Sequence, residues 1–393
     1  MTFGDRGARA ALSHLVEDMR VLVCVGSGGV GKTTTAAALA LYGATLGKRT
    51  LVITIDPARR LANSLGIEQL LHEPRPLDRR ILEEAGLHPA APIDAMMLDL
   101  KAAWDDMVVR TGGQGAATER ILENRFYTYL SRELPGAQEF ISCEALYTVA
   151  HERGYDLVVL DTPPTANALD FLDAPSRVLS FLDNDAVRLF TKERGHGVAG
   201  RIGLRFLDGA AGAASAVLAR FTGPELLDEL GDFLLLLRNL YDPIIERTRG
   251  FERMLRGSST RFVVVTSPAP GPMREARFFR DLLEERDLRV GASVVNRVMP
   301  PPEEGLPSRS VDEIEELLST LGISGDEGSH LARLGHRAVL EQALLAERDR
   351  RAVADFQGVR SDDVPVVKVP QMHGDVHDAK MLAQLVPWLV GEQ

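Results

Sequence analysis

The sequence predicts an α/β fold: a doubly wound, mostly parallel sheet with a helical subdomain inserted at its carboxyl edge. Three observations carry that reading. Short runs of consecutive β-branched and aliphatic residues recur along the chain, long stretches of helical periodicity separate them, and a glycine-rich turn joins the first run directly to a helix-forming one. Runs this short, apolar at successive positions, suit parallel strands whose two faces are both covered by crossover helices. Alternation of strand and helix then argues for a doubly wound sheet.

The strand runs fall at 21–25, 50–55, 157–160, 261–266, 290–295 and 364–369. A further stretch at 94–99, Asp-Ala-Met-Met-Leu-Asp, is read as an added edge strand. The connections at 59–154 and 166–257 are too long for simple crossovers and are mostly helical in pattern. The second holds a small-residue run at 209–216 and then a leucine-rich stretch at 226–240. We assign about 60–150 and 166–257 to the helical subdomain and treat 1–393 as one domain. Loop signals stand at 112–115 and 300–307, and no fixed-period repeat is found.

Composition narrows the function. Of 393 residues 45% are apolar, which is ample for a buried core, and the formal net charge is −11. An acidic chain lacks the basic footprint that nonspecific nucleic-acid binding needs, so no nucleic acid is expected. The two cysteines, Cys24 and Cys143, are too far apart for a Cys-x-x-Cys site, and such usage fits a reducing, cytoplasmic compartment. The first twenty residues carry Asp5, Glu17 and Asp18 and read as no signal peptide. The apolar stretch 233–237, bounded by Asp232 and Arg238, is far short of a membrane span, so no transmembrane segment is expected.

The strongest motif is Gly-Ser-Gly-Gly-Val-Gly-Lys-Thr-Thr at 26–34, which satisfies G-x-x-x-x-G-K-[ST]. The run 21–25 leads in and a helix-forming run leads out, as such a loop requires. Gly28, Gly29, Val30 and Gly31 let the backbone wrap an anion closely enough to aim several N–H groups at it. Lys32 adds a mobile positive charge for the β- and γ-phosphates, Thr33 a hydroxyl ligand for Mg²⁺, and Thr34 extends the cradle into the helix, whose amino end favours anions. The expected ligand is ATP with Mg²⁺, and the expected activity is its hydrolysis. Asp56 follows the 50–55 run and Asp161 ends the 157–160 run, and carboxyl strand ends converge on the ligand crevice of an open α/β sheet. Either acid can join Thr33 in holding Mg²⁺, directly or through water, and one can orient or deprotonate the attacking water. The bland alternative for each is a strand-end cap.

At these residues the chain resembles the ParA/MinD/ArsA class of deviant phosphate-loop ATPases. Within it, Asp56-Pro-Ala, Asp161-Thr-Pro-Pro-Thr165 and Val294-Val-Asn296 are similar to the ArsA family, which comprises arsenite-pump ATPases and the guided-entry ATPases that target tail-anchored membrane proteins. The resemblance implies that Asp56 and Lys32 are catalytic, Asp56 as the acid that activates water. It implies that 161–165 senses the γ-phosphate, that Asn296 reads the adenine edge, and that 369–377, with Pro370, Gln371 and Met372, packs beside the base. A strand-ending turn residue is the rival reading of Asn296. His373 and His377 read as solvated loop histidines.

Two departures from the family stand out. Its signature lysine, the second residue of the loop, is Ser27 here, and in relatives that lysine reaches a dimer partner's phosphates. Arg59 or Arg60 substitutes, or turnover is slow, or a paralogous partner supplies the lysine. The family's Cys-x-x-Cys clasp and arsenite-binding cysteines are also absent, and soft trivalent arsenic needs several thiolates. The expected function is an ATP-driven switch, a homodimer or a heterodimer with a paralogous ATPase, handling a hydrophobic protein client or a partner. Leucine-rich material at 204–240, with Met96, Met97 and Met107, could line a client groove or be subdomain core. An arsenite-pump subunit and a scaffold with little turnover are the competing readings.

Overall fold

The computed structural model describes residues 6–55, 60–65, 70–113, 115–133, 137–162, 173–177, 179–180, 224–358, 364–372, 374, 376 and 378–391. Its sheet has eight strands among these residues: β1 Val21–Gly26, β2 Thr50–Thr54, β3 Arg75–Pro76, β4 Ile93–Met97, β5 Leu157–Asp161, β6 Thr260–Thr266, β7 Val290–Val298 and β8 Val366–Pro370. They lie in the order β3-β4-β2-β5-β1-β6-β7-β8. Every pairing is parallel except that of β3 with β4. Each run read as a strand is one, and every residue of β1, β2 and β5 is buried, as two covered faces demand.

The 94–99 stretch corrects the sequence reading. It forms β4, which lies inside the sheet between β2 and β3, not at its edge. The edge is taken by the two residues of β3, where Pro76 faces outward with no N–H to offer a further strand.

The helices are α1 Arg6–Asp18, α2 Lys32–Thr45, α3 Arg60–Leu65, α4 Arg79–Glu84, α5 Leu100–Gly112, α6 Ala116–Glu123, α7 Arg125–Glu133, α8 Ala137–Glu152, α9 Pro224–Arg256, α10 Pro270–Glu285, α11 Val311–Thr320, α12 Gly325–Gly358 and α13 Ala379–Val390. Alternate strand residues divide between two cores. Leu22 and Cys24 face α1, α2 and α13, through Leu12, Leu39 and Leu382 among others. Val21, Val23 and Val25 face the other side, where Met107, Phe140, Phe251, Phe279 and Phe356 come from α5, α8, α9, α10 and α12.

Helices α5 to α9 pack on one another as a helical layer continuous with that second core. A buried charge group ties it together. The Arg247 guanidinium of α9 donates to both carboxylate oxygens of Glu144 on α8 at 2.8 and 3.1 Å, and to Glu152 at 2.7 Å. Arg110 of α5 reaches Glu144 from the other side. Met96 and Met107 are buried in the cores, and Met107 also lines a small pocket with Phe140, Cys143, Ile244 and Phe251. Of the leucine-rich stretch, 224–240 belongs to α9, while 209–216 lies outside the described residues.

The last large feature is a hairpin of α11 and α12. Ser310 starts α11 with a capping box, its hydroxyl accepting from the Glu313 N–H while Glu313 accepts the Ser310 N–H. Helix α12 is 34 residues long, and its carboxyl part buries Asp349, Val353 and Phe356 against the body. Asp349 accepts the Met299 N–H at 3.0 Å, and Gln342 donates to the Pro300 carbonyl at 3.0 Å.

Candidate nucleotide-binding site

The site begins where β1 reaches the carboxyl edge of the sheet. At Gly26, β6 comes so close that a Cβ would stand 2.0 Å from the Val265 carbonyl oxygen. The chain then turns through Gly29 (φ 77°) and Gly31 (φ 96°), both left-handed, and Gly31 is the N-cap of α2. Gly28 and Gly29 are exposed at the tip, whereas Ser27 and Val30 are buried. Helix α2 thus begins at the loop, and an α-helix directs its first backbone N–H groups out of its amino end.

Lys32 is buried, and its Nζ donates to the Ser27 carbonyl at 2.8 Å, so the cation lies along the inside of the loop. Thr33 Oγ1 donates to Asp161 Oδ2 at 2.7 Å, and Thr54 Oγ1, at the end of β2, donates to the same oxygen at 3.0 Å. Asp161 is 1% exposed. Because β5 lies between β1 and β2, three strand ends and the start of α2 converge on this carboxylate. Thr162 follows it, and its N–H and hydroxyl both donate to the Cys24 carbonyl. The Ile55 N–H points at the Asp161 carbonyl, 3.4 Å away; Asp56 and residues 163–165 lie outside the described residues.

Asn296, near the end of β7, is tied to the loop itself. Its Nδ2 donates to the Val30 carbonyl at 2.9 Å, and its Oδ1 accepts the Arg297 N–H at 2.9 Å. A Cβ on Gly31 would stand 2.2 Å from that Nδ2. The next strand carries the segment read as packing beside the base. Pro370 pairs with Val298, and the Gln371 N–H donates to the Val298 carbonyl at 2.9 Å. Pro370 is buried, Met372 half-buried and Gln371 exposed, so Asn296 and 370–372 share one rim of the site. His373 and His377 lie outside the described residues.

Sequence reasoning missed Glu275 of α10, whose Oε2 accepts the Ser27 hydroxyl at 2.6 Å. No motif marks it, because the partners are 248 residues apart.

The donor set at Thr33 and Asp161, a hydroxyl and a carboxylate, is all oxygen and fits a hard divalent cation. No cluster of three His, Cys, Asp or Glu side chains suited to a metal is found among the described residues. Cys24 and Cys143 lie in the cores on opposite faces of the sheet. Burial pushes both thiols well above their ordinary range, with Asp161 adding to the effect at Cys24 and Glu139 at Cys143. No described helix is long and apolar enough to cross a membrane.

The anion-transporting ATPase family matches residues 19–193. A candidate arsenical pump-driving ATPase of Halobacterium salinarum is 33% identical over 189 residues, which is 46% of this chain and 28% of that protein. A second such candidate, from Aquifex aeolicus, is 26% identical over 302 residues, covering 76% of this chain and 86% of the relative. ATPase GET3B of Arabidopsis thaliana is 27% identical over 293 residues, covering 70% and 63%.

Proposed function

We propose, from the chain's similarity to the ArsA-type ATPases, that residues 26–34 hold the triphosphate of ATP together with Mg²⁺, and that hydrolysis drives a switch acting on a protein client or partner. The observation that carries the reading is the Asp161 carboxylate, which takes the hydroxyl of the loop residue Thr33 beside the end of β2. Thr33 and Asp161, directly or through water, would hold the cation, which supplies neutralisation of phosphate charge. The chain's own residues do the rest. Lys32 exchanges the Ser27 carbonyl for phosphate oxygens, and the first amides of α2 bind the same charge. Asp56 orients or deprotonates the attacking water. Pro370, Gln371 and Met372 flank the base, and Asn296 offers it the hydrogen-bonding capacity that Val30 and Arg297 leave.

Occupancy of the loop is felt on both sides of β1, by Asp161 on β5 and by β6 through Val265. Such a site can bias two arrangements of the helical layer, which is how a nucleotide would be coupled to a hydrophobic client. A two-fold assembly, as a homodimer or with a lysine-bearing paralogue, is part of this proposal.

The names of the arsenical relatives support a second reading, a metalloid-pump subunit. Against it stands the placement of the thiols on opposite faces of the sheet, where they cannot share one ion.

One experiment addresses both. ATP hydrolysis is measured for the protein, Lys32→Ala and Asp56→Asn, with and without arsenite, and molar mass is determined in ADP and ATP. Turnover lost in both variants and indifferent to arsenite is expected. Stimulation by arsenite would overturn the protein-handling reading, and nucleotide binding without turnover would shift it to a heteromer.

A further inference from the structure

In this family the second loop position carries a lysine; here a contact within the chain occupies it. Ser27 is 5% exposed, so its hydroxyl needs a partner, and the Glu275 carboxylate accepts it at 2.6 Å, the short distance of a charge-assisted hydrogen bond. The Ser27 carbonyl is held at the same time by Lys32. One residue earlier, the Gly26 backbone lies against Val265 of β6. Helix α10 follows β6 directly and is seated in the core by Met273, Ala276 and Phe279, so the Glu275 backbone is fixed and its carboxylate stands as a post beside the loop. When Lys32 turns to phosphate, the carbonyl grip on Ser27 is lost and the hydroxyl grip stays.

We propose that Glu275 is a positioning residue of the phosphate loop: through Ser27 it keeps the Ser27–Gly28 peptide in the curvature that receives phosphate. This rests on the nucleotide reading of the loop for its effect on affinity, but not for its effect on loop order. A site whose donors are pre-placed binds more tightly because less ordering remains to be done on binding.

The test compares Glu275→Ala, Glu275→Gln, Ser27→Ala and the Ser27→Ala/Glu275→Ala double variant. Fluorescent ADP and ATP affinity is measured, together with amide hydrogen exchange of the 26–34 peptide without nucleotide. Glu275→Ala and Ser27→Ala are each expected to weaken binding about tenfold, one hydrogen bond's worth, with faster exchange in the loop. The double variant should match either single one. Glu275→Gln, which can still accept the hydroxyl, should stay within about threefold of the parent with its melting temperature unchanged, since Glu275 is at the surface. Unchanged loop exchange in Glu275→Ala, tighter nucleotide binding, or failure of Glu275→Gln to rescue would each overturn the proposal. A parent protein that binds no nucleotide would instead sink the function proposed above, and loop exchange would still decide the role of Glu275.

Discussion

Replacing Gly31 with alanine tests the loop's geometry against its nearest control, Gly29→Ala. Both glycines are left-handed, at φ 96° and 77°, a conformation that costs an L-residue roughly 1–2 kcal/mol. Their surroundings differ. A Cβ on Gly29 would meet nothing within 4 Å, so backbone strain is the whole penalty there. At Gly31 it would stand 2.2 Å from Asn296 Nδ2, well inside contact distance, and the amide must swing away from the Val30 carbonyl that it holds at 2.9 Å. Losing that hydrogen bond and leaving the carbonyl unsatisfied adds about 1–2 kcal/mol. Gly31→Ala should therefore cost about 2–4 kcal/mol where Gly29→Ala costs about 1–2. Expressed at the loop, the difference is about tenfold in affinity. The assay is ADP titration by calorimetry, with urea unfolding alongside. Because Gly31→Ala and Asn296→Ala break the same contact, the double variant should fall short of the sum of the two by about 1 kcal/mol. Equal damage at Gly29 and Gly31, or strict additivity in the double variant, would refute the reasoning.

Further outcomes follow from contacts elsewhere. Ser27→Lys alone should leave turnover within about twofold, because Glu275, which takes the serine hydroxyl at 2.6 Å, would claim the ammonium; with Glu275→Gln the cation is released and turnover should rise several-fold in a phosphate-release assay. In the helical layer, Glu144→Leu takes from Arg247 its buried partner and leaves it the exposed Glu152, which should destabilise by about 1–3 kcal/mol in urea, and adding Arg247→Met should recover part of it. Burial pushes the Cys24 and Cys143 thiols well above their ordinary range, so the thiolate is scarce at pH 8. Iodoacetamide should label neither in the folded protein and both once it is unfolded, as read by mass spectrometry.

The strands were legible because burial on both faces writes continuous apolar runs, as at 21–25 and 157–160. β4 was legible as a strand but not in its place, since the two residues of β3 that cover it carry no pattern. The loop announced itself because an anion cradle needs glycine, lysine and threonine at fixed spacing, and the oxygen of Asp161 that meets Thr33 lies at a strand end where such an acid was sought. The grip of Asn296 on Val30 and that of Glu275 on Ser27 were not legible. Each joins segments more than two hundred residues apart, and each uses a common residue type whose role depends on which strand ends the topology brings together.

Helix α12 turns the order of these contacts into distance. Near its base, Asp349 grips the backbone at Met299, three residues beyond the asparagine that holds the phosphate loop. From Asp349 to Gly325 the helix extends about 36 Å as a rod. A tilt of about five degrees at that base carries the far end about 3 Å, roughly the length of a hydrogen bond. The strand end beside the candidate site thus sits at the short arm of a lever, whose long arm is α12 with α11 packed along it.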